Sequence, residues 1–367
     1  MNDDLLYNIA ITELQGIGDI TAKKLIAYCG SAKQVFSEKT KVLEKIPGIG
    51  SVYANSIYQS KIEALAIAEN ELKFIEKNTI QALFYLDENY PKRLLHCEDG
   101  PVVLYSKGNI DYNNQKVISI VGTRNATDYG KEFCNQIVSD LVPHHPLIVS
   151  GLAYGIDICS HKAAIKNNLA TVGVLAHGLD RLYPSQHTAV ANQMLENGGL
   201  ASDYKSGTNP DRENFPKRNR IIAGLSDITI VVESSKKGGS LITAYLANDY
   251  NRDVFALPGR LSDAQSEGCN NLIKSNKAAL IQSVKDIEYI MSWESKKITD
   301  HKQQRLFVEL SEEEKMITQL LSQKDKLAID DLSLQAKFPM SKTASLLLNL
   351  EFNGVIKSLP GKMYQLV

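Results

Sequence analysis

Five short apolar runs, spaced by stretches of helical character, constrain this chain more than any other feature. They are KVISIVG (Lys116–Gly122), LIVSG (Leu147–Gly151), TVGVLAHG (Thr171–Gly178), ITIVVES (Ile228–Ser234) and DVFALPG (Asp253–Gly259). Between them lie segments such as DYGKEFCNQIVSDLV (Asp128–Val142) and SLITAYLANDY (Ser240–Tyr250), whose apolar residues recur at helical spacing. A strand that is apolar on both faces must be covered on both, and intervening helices supply that cover. The pattern predicts an α/β fold, a Rossmann-like, doubly wound parallel sheet.

At 367 residues the chain exceeds what one core usually serves, about 250–300 residues. Residues 1–75 read as short helices with two similar turns. LQGIGDITAKKLI (Leu14–Ile26) and IPGIGSVYANSI (Ile46–Ile57) align at an offset of 32 residues, each placing Gly-Ile-Gly between apolar helical patterns. Such turns mark a helix-hairpin-helix or SAM-like helical domain. Their N–H groups at a helix start can hold an anion, or the glycines can simply let two helices approach. The Rossmann-like domain then spans 76–293. A polar linker follows at 294–310, and residues 311–367 form a third domain. There Ser311-x-x-Glu314 is a capping-box pattern opening a helix. A short helix at Ile329–Leu334, a third helix from Ser341 and two strands around Pro360-Gly361 complete a winged helix.

A formal net charge of -1 gives no global sign of a polyanionic partner, so any basic site must be local. The five cysteines (Cys29, Cys97, Cys134, Cys159, Cys269) are odd in number and scattered, which fits reduced thiols in a cytoplasmic protein. The start, MNDDLLYNIA, is acidic where a signal peptide would be basic, and no apolar run approaches a membrane span. No cofactor or metal set is indicated, and no membrane partner.

Function in a doubly wound fold sits at the carboxyl ends of the strands. Four segments there are rich in glycine, hydroxyl and basic residues: VGTRNATDYG (Val121–Gly130), SGLAYGID (Ser150–Asp157), FPKRNRIIAGL (Phe215–Leu225) and KKGGSLITA (Lys236–Ala244). Glycines let backbone approach a ligand, and free N–H groups at helix starts favour phosphate. Arg124, Arg218 and Arg220 add charge suited to forked phosphate contacts. Between Lys205 and Arg220, five basic residues (Lys205, Arg212, Lys217, Arg218, Arg220) face two acidic ones (Asp211, Glu213), a local positive balance. A phosphate-lined pocket follows. G-x-G-x-x-G and G-x-x-x-x-G-K-[ST] are both absent, which argues against a dinucleotide coenzyme and against an ATPase. Several phosphate-ready loops on one edge suit a polyphosphate backbone better than one nucleotide. Phe215 offers a stacking face for a base, worth about 1–3 kcal/mol, or else is a core aromatic that fixes the helix start.

Groups for catalysis do not assemble. Asp157 and His161 share a helix face at i, i+4 without a third partner. Glu233 and Asp203 end or follow strands with no nucleophile at a telling distance. The pocket reads as one for binding, without chemistry.

The motif string from Tyr90 to Leu280 resembles the DprA/Smf family of DNA-processing proteins. It comprises YP (Tyr90-Pro91), GPVVLYSKGN (Gly100–Asn109), ISIVGTRNATDYG (Ile118–Gly130) and VSGLAYGID (Val149–Asp157). GLDRLYP (Gly178–Pro184), FPKRNRIIAGLS (Phe215–Ser226), GGSLITA (Gly238–Ala244) and VFALPG (Val254–Gly259) complete it. The resemblance implies binding of single-stranded DNA by the Rossmann-like domain, a homodimer through that domain, and loading of RecA recombinase during natural transformation. It puts the binding residues at Gly122, Thr123 and Arg124; at Ser150, Gly151 and Gly155; at Phe215, Arg218, Asn219 and Arg220; and at Gly239, Ser240 and Thr243, to which the local basic cluster adds Lys217. Three departures from the family pattern are Gly-Gly-Ser where Ser-Gly-Ser is common, Asp203 in place of Glu before the tyrosine, and Lys277-Ala278 near the domain end.

Residues 311–367 hold seven acidic residues (Glu312, Glu313, Glu314, Asp325, Asp330, Asp331, Glu351) against seven lysines, and the third helix carries one lysine and no arginine. A groove-reading helix normally brings more basic and amide groups, so this domain is expected mainly to contact protein: RecA, an uptake-linked factor or the same chain. The competing function is a nucleoside-monophosphate phosphoribohydrolase using the same glycine-rich loops, although Gly238–Leu241 lacks the Gly-Thr and acid of those enzymes. A weaker alternative is a sequence-specific regulator acting through the winged helix.

Overall fold

The computed structural model describes residues 3–293, 310–324, 326–359 and 362–366. The chain divides into two compact units, Met1–Ser295 and Lys296–Val367. The expected linker at 294–310 lies outside the described residues except for Leu310, as does the Pro360-Gly361 turn.

The strands of the first unit are β1 (Gln81–Phe84), β2 (Val103–Asn109), β3 (Val117–Val121), β4 (Leu147–Ser150), β5 (Thr171–Val174), β6 (Gly198–Ser202), β7 (Ile228–Val231), β8 (Asp253–Ala256) and β9 (Ala279–Leu280). They form one sheet in the order β1-β2-β6-β5-β4-β3-β7-β8-β9. Every pairing from β6 across to β9 is parallel. The β1–β2 and β2–β6 pairings are antiparallel. The doubly wound sheet expected from the sequence is therefore present, extended by an antiparallel edge. Chain order runs outward from β3 on one side and from β7 on the other. The crevice between their carboxyl ends is the switch point at which such folds bind ligands.

Alternation along β3 shows how the sheet is covered. Val117 and Val121 join the core on one face, with Val149, Val172 and Ile222. Ile118 and Ile120 join the other, with Ile137, Ile148 and Phe255. All are buried, each such side chain worth roughly 1.5–3 kcal/mol. Strands β1, β2, β6 and β9 were not among those expected. The β6 segment, GGLAS, has little apolar bulk because its backbone is crowded: a Cβ on Gly198 would lie 2.1 Å from Thr171 O, and one on Gly199 2.1 Å from Lys107 O.

The helical segment comprises Asp3–Ala10, Asp19–Cys29, Ala32–Ser37, Thr40–Leu43 and Ser51–Lys77. Its core of Ile9, Leu25, Val35, Ile49 and Ile57 is continuous with Val102, Val103 and Tyr105 at the β1–β2 edge. Each Gly-Ile-Gly turn ends as the N-cap of a helix, Gly18 for Asp19–Cys29 and Gly50 for Ser51–Lys77.

In the second unit, helices Glu312–Ser322, Ile329–Ala336 and Met340–Phe352 pack around Ile317, Leu332, Leu347 and Leu350. Strands β10 (Leu327–Ala328), β11 (Ile356–Leu359) and β12 (Met363–Leu366) form a sheet in the order β10-β12-β11. The capping box is formed: Glu314 N donates to Ser311 Oγ at 3.2 Å, and Ser311 N to Glu314 Oε2 at 2.9 Å. Among the described residues no helix is long and apolar enough to cross a membrane.

Candidate functional site

A cleft of about 660 Å³ opens at the carboxyl ends of β3 and β7. Gly122, Thr123 and Arg124 line it from one side, Phe215, Arg218 and Asn219 from a second, and Gly239, Ser240 and Thr243 from a third. The loop after β3 is held by its own backbone. Thr123 N donates to Glu233 O at 2.8 Å, and Thr123 O accepts from Ile156 N at 3.2 Å. Glu233, which is buried, receives Thr127 N at 2.9 Å and also the Thr127 hydroxyl, fixing the start of the Asp128–Asp140 helix. Arg124 is left exposed, its guanidinium 5.3 Å from the centre of the Phe215 ring. Phe215 in turn meets Tyr183 edge-on at 6.1 Å. The arginines forming ion pairs among the described residues are Arg93, Arg181 and Arg220, so Arg124 keeps its charge for a ligand.

Helix Asn214–Leu225 supplies the second wall, and its periodicity divides the basic cluster. Phe215, Arg218, Asn219 and Ile222, three to four residues apart, all face the cleft. Arg218 is only 3% exposed. Its Nη1 donates to Gly151 O at 3.0 Å and to Val174 O. Burial pulls its pKa down to about 10, against the pull of Asp157 and Asp203, so it stays charged at neutral pH. Burial pushes the Asp157 carboxyl up while Arg218 holds it down, and Asp157 Oδ2 accepts from Gly151 N at 3.2 Å. Arg218 forms the floor of the cleft.

Arg220 does not join the other two arginines, contrary to the grouping drawn from sequence. Two residues along a helix is a turn of about 200°, which carries it to the opposite side. There Nη2 lies 2.5 Å from Asp203 Oδ2 and 2.9 Å from Asp19 Oδ2, and Nη1 donates to Asp99 O. Burial opposes its charge, but Asp203, Asp19 and Asp99 outweigh burial and raise its pKa. Lys217 shares that side, exposed and 3.8 Å from Glu213.

The third wall is the start of helix Ser240–Asp249. Leu241 N and Ile242 N fold back onto Gly238 O and Gly239 O at 3.1 and 3.2 Å. A Cβ on Gly239 would meet nothing within 4 Å, so packing leaves the backbone there bare toward the cleft. Ser240 Oγ is buried with no hydrogen-bond partner among the described residues. A hydroxyl in want of a partner at a helix N-terminus favours an anion. Thr243 lies one turn further on, buried.

The fourth loop supports these walls. Ser150 Oγ donates to Ile120 O at 2.6 Å. Gly155 has φ +78°, and a Cβ there would lie 2.1 Å from Thr123 O, so this glycine serves loop-on-loop packing. Tyr183, Pro210 and Arg212 also line the cleft. Sequence reasoning did not single out Tyr183 as a site residue, although it lies in the GLDRLYP motif. His161 is buried, its Nδ1 2.7 Å from Thr171 Oγ1; burial, with His187 and Arg218 nearby, pulls its pKa down to about 3. Among the described residues no group of three or more His, Cys, Asp or Glu is placed to hold a metal ion.

Comparison with known proteins gives a consistent picture. The family model for DNA recombination-mediator protein A matches residues 81–292, and that for the DprA winged helix domain matches residues 303–362. Protein Smf of Escherichia coli is 30% identical over 88% of this chain and 94% of its own length. The structure of DNA processing protein A from Streptococcus pneumoniae superposes with a TM-score of 0.67 at 31% identity, covering 77% of this chain and 97% of that one. The Helicobacter pylori protein, whose structure is described as showing a unique single-stranded DNA binding mode, gives a TM-score of 0.53 at 30% identity over 58% of this chain and 95% of that one. A nine-stranded Rossmann-like sheet with its cleft at the switch point, followed by a winged helix, thus accompanies these matches: the chain belongs to the DprA/Smf family of DNA processing proteins.

Proposed function

We propose that this chain binds single-stranded DNA, with the sugar-phosphate backbone in the cleft between Arg124, Phe215 and Gly239–Ser240. One observation carries the reading: an arginine and a helix-start hydroxyl, both without partners among the described residues, converge with an aromatic face on one opening. Arg124 and the Ser240 end suit phosphates, while Phe215 and Tyr183 offer faces for bases. Lys217, on the far side of the helix with Arg220, lies outside the cleft. The single-stranded DNA binding reported for the Helicobacter pylori relative supports the same assignment.

The protein acts by binding, without chemistry, in the cytoplasm. Of the nearest candidates for acid–base work, Asp157 lines the cleft but accepts from Gly151 N beside Arg218, and His161 is buried with its Nδ1 on Thr171 Oγ1. On the strength of its family, it pairs with a second copy through the Rossmann-like domain and loads RecA recombinase during DNA uptake. The winged helix serves protein contact: Lys342, the basic residue of helix Met340–Phe352, is 2.5 Å from Glu313.

Anisotropy titration of the full chain with labelled oligonucleotides, competed by mononucleotides, tests the reading. Oligonucleotides should bind far more tightly, with log affinity falling against log salt by about 0.7 per phosphate neutralised. Equal affinity for mononucleotides, or release of free base from a nucleoside monophosphate, would reject it in favour of the hydrolase. Strong duplex binding by residues 295–367 would reject the assignment of the winged helix.

A further inference from the structure

The acidic pocket behind helix Asn214–Leu225 has no part in the reading above, yet it grips the helix that carries half of the cleft. Arg220 lies at its centre, 15% exposed, bonded to Asp203, Asp19 and the carbonyl of Asp99. Asp99 itself accepts from Tyr250 Oη at 2.6 Å. These groups come from four separate places in the sequence. Asp203 follows β6, Asp99 precedes β2, and Tyr250 follows the helix whose start forms the third wall of the cleft. Asp19 belongs to the helical segment, directly after the first Gly-Ile-Gly turn.

Asp19 is bidentate. Its Oδ2 meets Arg220, and its Oδ1 accepts from Val102 N at 2.8 Å. Lys23, one turn later, reaches Cys97 O and Glu98 O at 3.4 and 3.3 Å. The first residue of helix Asp19–Cys29 is therefore engaged inside the protein. Its carboxylate lies in the first turn, where the helix dipole favours a negative charge.

We infer that Arg220 and Asp19 are positioning residues for the cleft: the helical segment acts on strand binding by clamping the back of helix Asn214–Leu225, which sets Phe215, Arg218 and Asn219 on its front. The inference rests on the cleft being the strand-binding site. It gives the first hairpin a role in DNA binding that involves no contact with DNA. Each Arg220 nitrogen used is matched by a carboxylate or carbonyl, and breaking one partner of a largely buried pair leaves the other uncompensated. A tilt of the helix by a fraction of an ångström changes the gap between Phe215 and Arg124, on which stacking and phosphate contact both depend.

The test compares four full-length proteins, wild type, Arg124→Ala, Arg220→Gln and Asp19→Asn, in oligonucleotide titrations across a salt series, with Arg220→Lys as the conservative rescue. Thermal melts select temperatures at which each is folded. Arg124→Ala should lower the salt slope by about 0.7. Arg220→Gln and Asp19→Asn should each weaken binding roughly tenfold with the slope unchanged, and Arg220→Lys should recover most of that loss. Asp19→Asn keeps the Val102 bond and carries the test if Arg220→Gln does not fold. A slope lowered by Arg220→Gln as much as by Arg124→Ala would make Arg220 a phosphate ligand and overturn the inference. Unchanged affinity in the folded variants would overturn it equally. Failure of the wild type to bind oligonucleotides would instead reject the reading of the cleft itself.

Discussion

The two sides of helix Asn214–Leu225 present the same chemical group to opposite situations. On the cleft side Arg124 stands exposed over an aromatic ring, with no carboxylate paired to it among the described residues. On the far side Arg220 is enclosed by Asp19, Asp203 and Asp99. Arg218, on the cleft side but beneath its surface, is a third case, its charge spent on the carbonyls of Gly151 and Val174. Counting basic residues along the chain therefore overstates what a ligand meets. A cation attracts phosphate from solution only where the protein has left it unanswered.

The sharpest way to break this contrast is at Arg218. Arg218→Met should cost roughly 3–5 kcal/mol of stability, because it strands two carbonyls and removes the charge that offsets buried Asp157; denaturant unfolding measures it. A variant that kept full stability but lost salt dependence in DNA binding would move Arg218 from the floor into the ligand shell. Next comes Phe215→Ala, which should weaken oligonucleotide binding by about 1–3 kcal/mol with little change in salt slope, since stacking carries no charge. Loss of stability in place of affinity would make Phe215 a core residue.

Acid should affect the core beneath the cleft selectively. His161 titrates near its ordinary value of 6.5 when unfolded and at about 3 when folded. Its neutral form is the one the fold accepts, so its contribution is complete above 6.5 and is lost as pH falls from there toward 3. At pH 5 the loss is about 2 kcal/mol. His161→Asn should flatten that limb of the stability profile; an unchanged limb would place the acid sensitivity elsewhere.

Much of this was legible in the sequence, for reasons that also explain what was not. Strands β3, β4, β5, β7 and β8 carry continuous apolar runs, and their loops end in glycine and hydroxyl residues, so the sheet and its functional edge could be read directly. Strand β6 could not, because Gly198 and Gly199 are required by crowding from neighbouring backbone and supply no apolar signal. Glycines in the loops mixed two needs. Gly239 leaves open space at the cleft, whereas Gly155 lets one loop pass another. The basic motif FPKRNR looked like one electrostatic unit, yet helical periodicity sends Arg218 and Arg220 to different sides. The two carboxylates that pair with Arg220 lie about 200 and 20 positions away in the chain, and the Asp99 carbonyl it bonds about 120, so no local pattern announces them.

The claim that matters most is that Arg124, like Arg212 at the same rim, is a cation the cleft offers to a DNA backbone, and the salt dependence of binding tests it directly. Log affinity for a single-stranded oligonucleotide, plotted against log salt, should fall less steeply for Arg124→Ala than for wild type, by about 0.7. Parallel lines for the two proteins would contradict the account.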